Sequence, residues 1–172
     1  MTAKIALIAS AALLMSTTAF AAGGPTDPQI AHIAYTAGSL DVEAGKLALK
    51  KSKNPKVRAF ASEMVRDHQA VNDKALALVK KLHVTPEQNA TSQGLTKQAA
   101  ATRAKLAKLN GKAFDRAYAA NEVAYHATVN GALKSTLIPS ANNGELKSLL
   151  ETGLTLFSEH QKHAEHLSAS LK

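Results

Sequence analysis

Two of the seven histidines stand where a helix would bury them. His68 interrupts the row Val57, Ala61, Met64, His68, Val71, Ala75, Leu78, Leu82. His160 interrupts Leu146, Leu150, Gly153, Phe157, His160, Ala164, Leu167, Leu171. Both rows advance by steps of three and four, the period of a bundle seam. A buried imidazole without a partner costs ~1–3 kcal/mol, so each needs something that satisfies it. A shared transition metal would do so: nitrogen and oxygen donors on facing helices hold zinc, iron, manganese or copper. His126 is a third candidate ligand, and Glu43, beside the seam of the first helix, is a candidate carboxylate. The alternative is purely structural, with each histidine bonded to a carboxylate, carbonyl or tyrosine and fixing helix register.

The remaining histidines carry weaker signals. His32 lies near the start of the first helix, and His83 ends the second, where a cation suits the helix dipole. His163 and His166 continue a three-residue spacing after His160. They form either an accessory metal-capturing face or a polar helix end, and no partner for them is evident on another helix. Glu122 and His126, four apart, could coordinate together or form a surface pair. Tyr118 and Tyr125 read as core packing.

Four long helices must position these groups, which makes the fold an all-α four-helix bundle. Asp27-Pro28 opens the first with a capping oxygen and a proline where no N–H is needed, and Ile30, Ile33, Ala37, Leu40, Ala44 and Leu47 form its seam. Asn54-Pro55 opens the second after a turn so short that the two must be antiparallel neighbours. Val84–Gly94 reads as loop, followed by an additional short helix in the crossover, Thr96–Leu109. Asn110-Gly111 breaks the chain before the third long helix, Lys112–Leu137, which Pro139 ends. Asn142-Asn143-Gly144 makes the turn to the fourth. At 1.5 Å rise per residue, Glu43 and His68 lie ~15 and ~21 Å from the first turn, and His126 and His160 lie ~20 and ~27 Å from the last. All four can meet near mid-bundle.

Residues 1–21 read as a signal peptide: Lys4, the apolar run Ile5–Met15, and Ala19-Phe20-Ala21 ahead of the cleavage point. Residues 22–172 are then a single exported domain, periplasmic or extracellular, and no further stretch is long and apolar enough to span a bilayer. The sequence contains no cysteine, which excludes disulfides, thiolate metal sites and covalently attached c-type haem. No Gly-rich phosphate loop or Gly-x-Ser-x-Gly elbow is present, so neither a nucleotide cofactor nor a hydrolase is expected. The formal charge of +8 suits an anionic partner such as an envelope surface, but a solvated, mildly basic surface is the simpler reading and is preferred. Aromatic residues make up only 4% without basic-aromatic alternation, and the export signal argues against nucleic acid as a partner.

The stretch Phe60-Ala61-Ser62-Glu63-Met64-Val65-Arg66-Asp67-His68 with Asn72 resembles a family of exported bacterial proteins classed as a domain of unknown function. So do Leu109–Tyr118 and Val123–His126. Members often carry an outer-membrane label, and the family is grouped with ferritin-like folds. The resemblance runs from about Asp27 to Leu167. It implies a ferritin-like bundle and histidines at the positions of His68, His126 and His160, but no activity. Alternating barrel strands that would support the outer-membrane label are missing. Di-iron bundles use Glu-x-x-His on two helices, and the sequence has no such tetrapeptide. A mononuclear site of three histidines and one carboxylate fits better than a ferroxidase centre. The expected function is therefore metal storage, sequestration or stress protection, with an enzymatic role disfavoured rather than excluded. The alternative is an envelope-interaction module whose working surface is the basic segment Lys50–Arg58.

Overall fold

The computed structural model describes residues 23–171. The expected signal segment 1–21 lies outside the described residues. Helices α1 (Asp27–Lys51), α2 (Pro55–Lys81), α4 (Gly111–Ala132) and α6 (Gly144–Ser170) form a four-helix bundle. Helix α3 (Ala90–Ala107) supplies the crossover, and a π-helical stretch, Leu133–Leu137, with the short α5 (Ile138–Ser140), extends α4. No strand occurs among the described residues.

The caps explain most boundaries. Asn54 accepts from Lys56 N and Asn143 from Glu145 N and Leu146 N, each covering N–H groups that a helix start leaves free. At α1 the cap is Thr26, not Asp27. The Asp27 carboxylate instead accepts from Asn142 N and Asn143 N, both at 2.9 Å, and ties the start of α1 to the turn before α6. Gly111 opens α4 with φ +54°, a conformation that costs other residues a steric clash.

Two expectations need correction. The crossover helix starts at Ala90 rather than Thr96, because Asn89 and Ser92 cap each other: Ser92 N donates to Asn89 Oδ1 and Asn89 N to Ser92 Oγ. A polar run that reads as loop is thus a capping box. Pro139 does not end the third long helix at Leu137. Proline has no N–H for the carbonyl one turn back, and the chain passes it through the π-helical widening and continues to Ser140.

The end of α2 lies by the start of α1, where Glu87 N donates to Pro28 O. Helix α3 runs back along α1 to the other end, where Lys51 Nζ donates to Ala107 O. Helix α4 returns beside α1, with Tyr125 OH donating to Ala37 O at 2.8 Å. Helix α1 is therefore covered by α3 as well as by its bundle neighbours. That explains why Ala31, Gly38, Asp41, Val42 and Gly45 are buried besides its seam.

The interior falls into two apolar halves. Toward the α1–α2 turn lie Phe60, Met64, Phe114 and Tyr118, all with 0% exposure, and the two rings of Phe60 and Tyr118 meet edge to face. Toward the opposite end lie Ile30, Ile33, Leu133, Leu137, Leu146 and Leu150. Between the halves sits a layer of buried polar side chains.

Candidate metal centre

Each bundle helix contributes to the layer: Asp41 from α1, His68 and Asn72 from α2, Glu122, His126 and Asn130 from α4, and His160 from α6, all buried. The close approach of α1 to α2 brings the first of these together. Gly38 packs against the Asn72 side chain. A Cβ on Gly45 would lie 2.8 Å from Val65 Cγ2 and 3.1 Å from Ala61 O. With glycine at both places the helices close until Asp41 Oδ2 lies 2.6 Å from His68 Nε2.

The three histidines are brought together. His68 Nε2 and His126 Nε2 are 3.4 Å apart, and the ring of His160 lies 5.3 Å from that of His68 and 5.6 Å from that of His126. Ligand atoms of the three lie within 4.8 Å of one another. Tetrahedral metal–nitrogen bonds of about 2.0–2.1 Å place neighbouring nitrogens about 3.3–3.4 Å apart, which matches the His68–His126 separation. His126 Nδ1 lies 3.0 Å from the Glu122 carbonyl oxygen. A proton held there leaves Nε2 with its lone pair aimed at His68, the arrangement that orients metal-bound imidazoles. The His68 ring stacks on Phe157 at 4.4 Å with an interplanar angle of 10°.

Glu43 does not join them. It is exposed on the surface, where its carboxylate pairs with Arg103 of α3 at 2.8 Å. The carboxylate in the layer is Asp41, two residues earlier and so roughly 200° around the helix. Asp41 also lies 3.6 Å from His126 Nε2. The surface-pair alternative for Glu122 and His126 is overturned as well: both are buried, with Glu122 Oε2 3.8 Å from His126 Nδ1. Asp41, Glu122 and His126 form a second group of potential ligands sharing His126.

Helix α2 supplies a third group. His160 Nε2 lies 3.2 Å from Asp67 Oδ2, and Glu63, Asp67 and His160 cluster together. His163, for which no partner was evident in the sequence, has one in Glu63 at 2.8 Å. His32 meets only Thr36 of its own helix, at 3.3 Å. His83 lies in the turn two residues beyond α2, with φ +53°. Neither is near the layer's ligand groups.

The electrostatics of the layer are lopsided. Burial works to raise the Asp41 carboxyl, but the adjoining His68 and then His126 outweigh it and hold Asp41 well below the usual carboxylate range. Burial, reinforced by the charge of Asp41, pushes Glu122 well above its ordinary value and so favours its protonated form. Burial also lowers His126 to about 4, with His68 and His160 adding to the effect against the opposing pull of Asp41. His160 is lowered by burial and then by His68. The layer thus sets one firmly held carboxylate anion, Asp41, beside a Glu122 carboxyl whose ionisation burial opposes and two imidazoles, His126 and His160, whose charging burial opposes.

Hydrogen bonding leaves the layer incomplete. Both oxygens of Asp41, His68 Nδ1, His160 Nδ1, Glu122 Oε2, Asn130 Oδ1 and Tyr118 OH are buried without a hydrogen-bond partner. The short Asp41–His68 approach is not aligned as a hydrogen bond. So many orphans around one carboxylate are rare in a folded interior, and a cation among them would satisfy several at once. Imidazole nitrogens with a carboxylate are a donor set suited to zinc, copper and iron. A cleft of about 110 Å³ between α1, α3 and α4 reaches Asp41 past Arg103.

The family described as a domain of unknown function, DUF4142, matches residues 12–167. No curated protein matches the sequence. Among solved structures, a secreted DUF305 protein from Streptomyces coelicolor superposes with a TM-score of 0.71 at 13% identity, over 83% of this chain and 91% of that one. CopM in its Cu(II)-bound form superposes with a TM-score of 0.66 at 14% identity, over 87% of this chain and 99% of that one. At such identities the likeness is one of fold.

Proposed function

Because the chain belongs to the DUF4142 family, whose description assigns no activity, its function must come from its own residues, and we propose that it binds one transition-metal ion. His68, His126 and His160 are the nitrogen ligands, and Asp41 takes the carboxylate place expected of Glu43. The observation that carries this reading is the 3.4 Å separation of two buried Nε2 atoms beside a carboxylate oxygen without a directed hydrogen bond. That CopM has the same fold and was solved with Cu(II) puts copper first among the candidates, with zinc next on ligand chemistry. The protein sequesters or stores the ion in the exported compartment, after cleavage of residues 1–21, and performs no reaction on it.

Elemental analysis of the mature protein, purified from that compartment without chelators, tests this directly. About one equivalent of metal is expected. It should be lost in His68→Ala and His160→Ala while the helical circular dichroism remains. Asp41→Asn should weaken binding and Glu43→Gln should not. Wild-type metal affinity in both histidine variants would sink the proposal.

A further inference from the structure

The half of the bundle beyond the polar layer, toward the start of α1, encloses a cavity of about 240 Å³. Its walls are almost entirely carbon. Water is a poor filler of such a space, since each molecule needs two to four polar partners. Small residues face it from every bundle helix: Ala34, Ala37 and Gly38 on α1, Ala75 on α2, Ala132 on α4 and Gly153 on α6. The π-helical stretch adds to it, as Leu133, Thr136 and Leu137 line the same wall. Single π-turns of this kind recur at functional sites.

Shape and charge narrow the occupant. The cavity is lined along α2 from His68 to Val79 and along α6 from Leu146 to Phe157, about 16 Å in each case at 1.5 Å per residue. A space that long and that small in volume suits an extended chain better than a compact ring. Its inner end abuts His68 and His126, with the Asp41 carboxylate 2.6 Å behind His68, and that charge repels an anionic head. Toward the far end the lining residues Val79, Leu133 and Leu146 are each followed in sequence by an exposed lysine, Lys80, Lys134 and Lys147. Lysine stems of this kind cover apolar surface while the ammonium reaches a ligand or water.

We propose that this cavity binds a single-chain anionic amphiphile, a fatty-acid-like carboxylate, with the chain directed toward the polar layer and the head among these lysines. Displacement of 11-(dansylamino)undecanoic acid from the mature protein by laurate tests it. Saturable binding at one equivalent is expected, with laurate competing well below its micellar concentration. Filling the cavity with Ala34→Leu plus Gly153→Leu should weaken both ligands at least tenfold without loss of helical signal. Ala75→Leu on a different wall is a second blocking variant should the first pair fail to fold. Reversing the charges of Lys80, Lys134 and Lys147 should weaken laurate at least fivefold and leave 1-dodecanol unchanged. No saturable binding, or wild-type affinity in a folded blocking variant, would overturn the proposal. Equal weakening of laurate and dodecanol would overturn the placement of the head.

Discussion

The two halves of this bundle use the same four helices and differ in what those helices send inward. Toward the α1–α2 turn, Phe60, Phe114, Tyr118 and Met64 are fully buried against one another and their neighbours. Toward the other end, aliphatic side chains of intermediate size alternate with alanine and glycine, and about 240 Å³ stays open. Left empty, a void of that volume forgoes up to about 6 kcal/mol of packing at roughly 24 cal/mol per Å³. That is a large part of the roughly 5–15 kcal/mol that holds a domain together. One half therefore holds the bundle, and the other accepts a loss of packing. The polar layer lies at their boundary, where rigid support on one side meets free space on the other.

Truncation in each half is the severest test of that contrast. Phe60→Ala removes a ring enclosed on every side and should cost about 3–5 kcal/mol. Leu150→Ala removes a side chain that already faces the void on one flank, so fewer contacts disappear. It should fall near the lower limit for such changes, about 2 kcal/mol. Urea unfolding of both variants checks it. Equal losses would mean that the cavity is not a feature of the protein in solution.

The layer between the halves gives the next effect, and its sign depends on pH. Glu122 is raised by burial and by Asp41, so the folded chain holds a proton on it that the unfolded chain releases above about pH 4.3. Its contribution to the stability of the metal-free protein is complete below that pH and is lost as pH rises through the folded value. Glu122→Gln keeps the shape of the neutral acid without the proton requirement. It should raise the melting temperature of metal-free protein at pH 8 and leave it nearly unchanged at pH 4. His126 acts in the opposite direction. Lowered to about 4, it withdraws stability as pH falls from about 6.5 toward 4. An unchanged melting temperature at pH 8 in Glu122→Gln would show that the carboxyl is not held neutral there.

What could be read from the residues themselves follows the same boundary. Asn54-Pro55, Asn143-Gly144 and the seams of α2 and α6 are local signals, and an imidazole in a row of Leu, Val and Ala is conspicuous. That is why the convergence of His68 and His160 could be anticipated. Asp41 was not legible, because it stands beside the α1 seam and an aspartate there normally faces water. It is buried because α1 closes on α2 at that level and sets the carboxylate against His68 and His126, a consequence of tertiary packing. One trace did exist: Gly38, Asp41 and Gly45 follow each other at helical spacing among small residues, a stripe that permits close helix approach. Glu43 lies outside that stripe and meets solvent and Arg103. For Glu122 the i,i+4 partner of a buried histidine was visible, but its own burial depends on how α4 rotates, and the apolar rows of α4 were the least regular. The polar run at Asn89–Gln93 hid a capping box for a similar reason, since Ser92 is only buried once α3 lies against α1.

Two glycines give the smallest effect and the sharpest sign. In the packed half, a Cβ at Gly45 would stand 2.8 Å from Val65 Cγ2 and 3.1 Å from the Ala61 carbonyl oxygen. The valine tip can turn away, but the helix backbone cannot. Gly45→Ala should force α1 and α2 apart, costing about 1–3 kcal/mol, and the widened gap should separate Asp41 from His68 and weaken metal binding too. In the hollow half, a Cβ at Gly153 meets nothing nearer than Phe157 Cε2 at 3.4 Å, an ordinary contact. Gly153→Ala should gain about 0.5–1 kcal/mol, since alanine stiffens the unfolded chain and suits a helix interior. Thermal melts of the two variants side by side decide the matter. Opposite signs are expected, and destabilisation by Gly153→Ala would mean that α6 sits closer to its neighbours than an open half allows.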